Sequence, residues 1–461
     1  MLLFRALIPL LLLIVPGAAG ATVVGTILSG PTSDDPLAVY WNPAATTLAH
    51  GHRAMLFSGT TMIDLAYQRY SANSLDGAPY PRADMFIAKP EIAFGFVTDA
   101  LHDRLRLGVG LATPVLDGAR WSPTYEGRPA STRLYAVEAH QAHIFIRPAL
   151  AYRLHRMVSV GVGLDIIGIW LRSDTMVDLG ARLNQMACRI GRAGCQVGAP
   201  FSREDPALEA RMRINDVGWD VGVAGGVLLE PWPWLRLGAS VASGAGEVDV
   251  PIDVQIELPP DATRFAGSAV PGVKLPDLRS RAVARTYSPM MVTAGVMVLP
   301  TPRLELAADL HWIQKSKMSV MLVEIRQTNS ELIADQVLVK VVQDAFTVGL
   351  RGSYRLRSWL TLALRGEYIS NTMPDRFTTP VSLDFDKLHL QAGLAWHVTP
   401  WLTAIAEYGH TVLFARTINE SAFSPNPDPR TAVEEGLDKP SPVGRYTGYA
   451  VALTGALVVA F

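Results

Sequence analysis

Apolar residues recur at every second position along most of this chain. Leu105, Leu107, Val109 and Leu111 alternate with Arg106, Gly108, Gly110 and Ala112, and Val158, Val160, Val162 and Leu164 alternate with Ser159, Gly161, Gly163 and Asp165. The same period returns over 143–152, 304–312, 346–354, 360–368, 388–398 and 402–408. Successive side chains on a strand point to opposite faces, so each run reads as a strand with one apolar face. The pattern predicts an all-β chain of about fourteen strands, starting near 52, 89, 104, 136, 157, 211, 234, 281, 303, 337, 359, 385, 401 and 443. Connections at 100–103, 155–156, 231–233, 300–302, 357–358 and 399–400 are tight. Those near 67–88, 116–135, 175–210, 247–280, 316–336, 371–384 and 415–442 are long and polar. Short and long alternate, as they do in an antiparallel barrel with short periplasmic turns and longer outer loops.

The aromatic residues test this reading independently. Trp232, Trp234, Trp359 and Trp401 stand at tight turns, and Trp312 and Tyr368 lie about ten and nine residues beyond theirs. At about 3.3 Å per residue and a tilt near 40°, nine residues rise about 23 Å, close to the height of the apolar band of an outer-membrane barrel. The final run, Tyr449 to Phe461, keeps outward apolar residues at alternate positions and ends on an aromatic. Such an end resembles the signal by which the barrel-assembly machinery recognises its substrates, and pairing this strand with the first would remove both free edges.

Composition narrows the class further. Of 461 residues 49% are apolar, the formal net charge is −1 and mean hydropathy is +0.20. No net field favours nucleic acid, and the chain is apolar for an exported soluble protein. Residues 1–21 read as an export signal: Arg5 is the positive flank, Leu7 to Val15 the apolar run and Ala19-Gly20-Ala21 the small-residue cleavage site. No later run approaches the roughly 18 apolar residues of a spanning helix. Cys188 and Cys195, in an oxidising compartment, read as a local disulfide; that segment offers too few ligands for a metal. No Gly-x-Ser-x-Gly element occurs, and His140 and His143 fall on opposite strand faces, so a hydrolase or a metal site finds no support. No cofactor is expected.

Ahead of the barrel, 51–461, lies a segment, 22–50, about the size needed to fill a lumen of this width. It holds two turn formers, Asp34-Asp35-Pro36 and Asn42-Pro43, with aromatic Tyr40 and Trp41 and small Ala44 and Ala45. By these residues alone it fits either a plug or an ordinary N-terminal arm with a turn. The run DDPLAVYWNPA, Asp34 to Ala44, resembles the N-terminal hatch of the FadL/TodX family of outer-membrane transporters for hydrophobic compounds, whose signature is an Asn-Pro-Ala turn, here Asn42, Pro43 and Ala44. LGVGLATPVLDG, 107–118, followed by Trp121 and Gly127-Arg128, resembles the family's third strand and the loop after it; 148–164 resembles the following hairpin, and 299–309, with 368–376 and 388–408, the later turn and strand.

The resemblance implies passive uptake through the bacterial outer membrane of hydrophobic molecules, long-chain fatty acids first among them, by hatch-gated lateral diffusion without a cofactor. It implies a lateral gate at an inward kink of the third strand, where Gly110, Thr113 and Pro114 stand: Gly tolerates unusual backbone angles and Pro removes a ladder donor. The inward-phase residues Arg106, Arg147, Arg351 and Arg365, with Glu367, read as a lumen charge network. One of the arginines can pair with a substrate carboxylate, or the set only solvates and stiffens the interior. The partners expected are a hydrophobic small molecule, outer-membrane lipid and lipopolysaccharide, and the assembly machinery. The rival readings are a general porin or structural barrel and, more remotely, an outer-membrane hydrolase.

Overall fold

The structure, a computed structural model, describes residues 24–70, 82–130, 132–135, 137–180, 205–259, 278–328, 336–339, 341–421 and 442–461. The export signal, 1–21, and Cys188 and Cys195 lie outside the described residues. The strands are β1 (Arg53–Arg69), β2 (Ala83–His102), β3 (Leu105–Arg120), β4 (Glu138–His155), β5 (Val158–Asp178) and β6 (Glu209–Trp232). Each of the next four runs in two segments: β7 (Leu235–Ala242, Gly246–Glu257), β8 (Leu278–Ser288, Met291–Thr301), β9 (Leu304–Ile313, Val320–Thr328) and β10 (Gln336–Val339, Ala345–Arg357). Then come β11 (Leu360–Ile369), β12 (Lys387–Thr399), β13 (Leu402–Leu413, Arg416–Ile418) and β14 (Gly444–Ala460).

Each strand pairs antiparallel with its sequence neighbours, and β14 pairs with β1 from Arg53↔Ala460 to Arg69↔Gly444. The result is a closed 14-strand barrel. Closure removes the two terminal edges, which satisfies the backbone donors and acceptors of β1 and β14 where lipid can supply none.

The outward phase carries the apolar residues that the alternation assigned to it. Leu56, Val162, Leu350, Leu362, Leu364, Leu453 and Leu457 are exposed on the wall, and Trp232, Trp234, Trp359 and Trp401 are exposed at the tight turns. Trp232 and Trp234 stack with ring centroids 5.3 Å apart.

Several strands climb well past the lipid. β5 has 21 residues and β6 has 24, against the roughly 9–11 that span a bilayer. In this upper part the phase of the pattern inverts. On the second segment of β7, Val248, Val250, Ile252, Val254 and Ile256 are buried, whereas Glu247, Asp249, Asp253 and Glu257 face outward. Outside the barrel is now water, so the apolar half of the alternation turns to the lumen. The connections expected at 247–280 and 316–336 therefore contain strand over 246–257, 278–288 and 320–328.

Candidate functional site: a plugged lumen and an interrupted wall

The described part of the N-terminal segment, 24–49, lies inside the barrel with almost every side chain buried. A single helical turn, Ala38–Trp41, starts where Asp35 Oδ1 accepts the Leu37 amide at 2.7 Å. It stops at Asn42, which is extended and caps the following 3-10 turn, Pro43–Leu48. Pro43 suits the first position of that turn because its missing N–H would have had no partner there. Asn42 uses its whole amide: Oδ1 accepts from the Ala44 amide at 3.1 Å, and Nδ2 donates to Pro31 O and to Val227 O of β6, both at 3.0 Å. One side chain thus joins both halves of the hatch to the wall.

All four lumen arginines expected from the sequence reach the hatch backbone. Arg106 Nε donates to Ala49 O at 2.8 Å, Arg147 Nη1 to Tyr40 O at 2.5 Å, Arg365 Nη1 to Ser29 O at 2.9 Å and Arg351 Nη1 to Leu28 O. Three of them are paired with wall carboxylates: Arg147 with Asp165 through two bonds of 2.5 and 2.8 Å, Arg351 with Asp309 at 3.0 Å and Arg365 with Glu367 at 2.6 Å. Arg106 lies 3.6 Å from Asp99. The carboxylates orient each guanidinium and offset its burial, leaving the remaining N–H groups aimed inward. Trp41 is held as well: its O accepts from Ser240 Oγ at 2.5 Å and Thr293 Oγ1 at 3.1 Å, and its ring lies 4.7 Å from that of His311.

Glycines on the inward phase make the seat. A Cβ at Gly161 of β5 would lie 2.4 Å from Ala44 N, and one at Gly226 of β6 would lie 2.0 Å from Asn42 Oδ1. At Gly238 of β7 it would meet Pro31 O at 2.3 Å, and at Gly95 of β2 Pro36 O at 2.5 Å. The alternation marks Gly161 as inward; the purpose of all four becomes visible only with the hatch in place. Two variants should therefore loosen the hatch by different routes. Asn42→Ala strands Pro31 O and Val227 O at a cost of about 1–3 kcal/mol, and Gly226→Ala leaves every bond partner in the sequence but displaces Asn42. Both should speed amide exchange over 42–48 while exchange in β1 and β14 stays unchanged.

The wall itself is interrupted beside β3. β2 pairs with β1 along Ala83 to Val97, but its pairing with β3 ends at Ala93↔Ala112. Above that point β3 continues on β4 alone, and the β3–β4 register slips between Ala112↔Phe145 and Val115↔His143, so that Thr113 and Pro114 together oppose Ile144. This is a β-bulge, and it bends the bulged strand. Of the three residues expected at a gate, Thr113 and Pro114 form the break. Gly110 is paired regularly on both sides, with Gly95 and Arg147, and its missing Cβ makes room for Val39 of the hatch at 3.2 Å. From Thr113 to Arg120 the seam runs about 26 Å along the strand. It is bridged by Thr113 Oγ1 to Ile92 O at 3.3 Å and by the Arg120 amide to Met85 Sδ at 3.2 Å.

Behind the seam, above the hatch, lies an apolar cluster that includes Ile63, Leu65 and Tyr67 of β1, Met85 and Ile87 of β2, Ala119 of β3, Trp121, and Tyr446 of β14. Tyr67 and Tyr446 stack at 4.5 Å. The loop between β11 and β12 covers this cluster. Leu383 and Phe385 insert into it, Val381 packs on Tyr135 and Ala139, and Pro380 O accepts from Trp121 Nε1 at 2.9 Å. The loop thus starts at β11 and β12 and is anchored beside β3 and β4, across the mouth. Sequence reasoning placed this stretch only as a connection, since nothing local marks which distant side chains it will meet.

A closed, apolar-banded barrel that holds its own N-terminal segment in the lumen, with a break in strand pairing beside a buried apolar cluster, has the architecture of an outer-membrane transport channel. The chain belongs to the outer membrane protein transport protein family (OMPP1/FadL/TodX), whose model matches residues 18–438. Its fold is similar to that of a Pseudomonas aeruginosa FadL homologue, with 18% identity over 97% of this chain and 99% of that one and a TM-score of 0.75. It is also similar to the P. putida toluene transporter TodX, with 13% identity over 96% and 99% of the two chains and a TM-score of 0.65. The Ralstonia pickettii toluene transporter TbuX gives 14% identity over 94% and 98%, and a TM-score of 0.60. No curated protein matches the sequence. The family consists of outer-membrane transport proteins rather than enzymes.

Proposed function

We propose that this protein takes up long-chain hydrophobic molecules, fatty acids first among them, by lateral diffusion over a hatch that gates the lumen. Cargo enters at the outer mouth, occupies the apolar cluster above the hatch and leaves sideways between β2 and β3 at Thr113 and Pro114 into the membrane. The observation that carries this reading is the contact of apolar cluster and seam: Met85 and Ile87 on one side and Ala119 on the other belong both to the strands whose pairing is interrupted and to that cluster. A molecule crossing there need not meet bulk water. Each CH2 kept from water is worth about 0.8 kcal/mol, so a long chain gains far more by the lateral route than by release below the hatch.

The four arginines serve as hatch clamps in this scheme rather than as the first contacts of cargo. Reconstituted into vesicles, the protein should transfer oleate faster than protein-free vesicles do, without making them swell in arabinose. Rapid swelling by the sugar, with no gain in oleate transfer, would mean an aqueous pore and overturn the proposal.

A further inference from the structure

We infer that Arg416 is a carboxylate receptor at the outer mouth and that a cargo headgroup opens the covering loop by exchanging with Asp375; this rests on the transport reading above. Arg416 begins the short outer segment of β13 and pairs in register with Tyr446. Its guanidinium closes the neck of the β11–β12 loop. Nη1 donates to Asn371 Oδ1 at 3.1 Å and to Asp384 O at 2.6 Å; Nη2 donates to Met373 O at 2.8 Å and to the Asp375 carboxylate. Both ends of the loop therefore hang on one side chain.

The two partners of the ion pair differ in their surroundings. Arg416 is 10% exposed and fixed by its other acceptors, whereas Asp375 is 69% exposed and, among the described contacts, is tied to the wall only through this arginine. Asp375 is thus a carboxylate already in water, easily exchanged for another. A planar guanidinium accepts any carboxylate in the same geometry. What distinguishes a fatty acid from acetate is the place its tail can go. Ile418, two residues on and sharing the inward face, and Tyr446, opposite Arg416, are buried in the apolar cluster beneath the loop. A headgroup on Arg416 puts the first carbons of its chain at the edge of that cluster. Release of Asp375 removes one tie of the loop neck, while Lys387 Nζ to Asp384 Oδ1, at 2.7 Å, keeps the far end attached. The ligand class is an amphiphile with one carboxylate and a long apolar chain.

The test compares oleate with oleyl alcohol, which share a tail, by equilibrium binding to the purified protein in detergent, with heat-modifiable electrophoretic mobility as the control for folding. The unchanged protein should prefer the acid by about tenfold. Arg416→Gln should bring the ratio close to one while leaving alcohol binding in place. Asp375→Asn, an exposed substitution that any folded barrel tolerates, should raise affinity for the acid more than for the alcohol. A ratio unaltered by Arg416→Gln, or equal shifts for both ligands in Asp375→Asn, would overturn the inference. Equal binding of both ligands by the unchanged protein would overturn it alone and leave the transport reading standing, whereas binding of neither would remove both.

Discussion

Deletion of Pro114 should stop uptake while leaving a barrel that inserts and resists unfolding. The bulge at Thr113 and Pro114 places two residues of β3 against one of β4. Removing one residue restores the register that holds from Leu105 to Ala112 and supplies an N–H where proline had none. Outer β3 can then pair with residues 83–92 of β2, whose strand pairing is to β1. Each hydrogen bond formed across the seam adds about 1 kcal/mol, so several together favour a shut wall decisively. Labelled oleate uptake by cells carrying the deletion should fall to that of cells lacking the protein, with the same amount of folded barrel in the membrane. Undiminished uptake would mean that cargo does not use this route.

Arg147 should be the costliest of the wall residues to lose. Both it and Asp165 are buried, so Arg147→Met leaves an uncompensated carboxylate inside the protein, at a cost of about 3–5 kcal/mol. It also takes the donor from Tyr40 O. The folded-to-unfolded mobility change should move to lower temperature, and vesicles holding the variant should swell in arabinose where the unchanged protein keeps them tight. The double variant Arg147→Met/Asp165→Leu separates the two effects. It should recover much of the thermal stability, since no charge is left stranded, and still leak, since Tyr40 remains unclamped. A double variant that is both stable and tight would show that the clamp does not hold the hatch.

The sequence carried the lower barrel well and the upper barrel poorly, for a physical reason. Where lipid lies outside, alternation is strong and the turns are short, so the expected starts at 104, 157, 234, 303, 359 and 401 lie one residue from the observed 105, 158, 235, 304, 360 and 402. Above the lipid both faces of a strand change their neighbours. Val248 to Ile256 keeps period two, but with its apolar half turned inward and acids outward it resembles a polar connection, and β2 begins at Ala83 rather than near 89. Arg106, Arg147, Arg351 and Arg365 could be assigned to the lumen because phase alone decides that. What they bind could not, since Tyr40, Ser29 and Ala49 approach from a segment far away in sequence. Arg416 gave no local signal at all, and Trp121 only a place in the loop after the third strand; each gains its meaning from a loop that crosses the mouth.

The seventeen-residue seam in which β14 meets β1 has a consequence for biogenesis. Residues 24–49 precede β1, and their carbonyls occupy guanidinium groups on strands that lie on several sides of the cylinder. Once the ring is shut, a stopper this closely fitted has no broad doorway left. Threading must therefore come before zippering, and a nascent chain whose leading segment is tethered outside should stall as an open, protease-sensitive sheet.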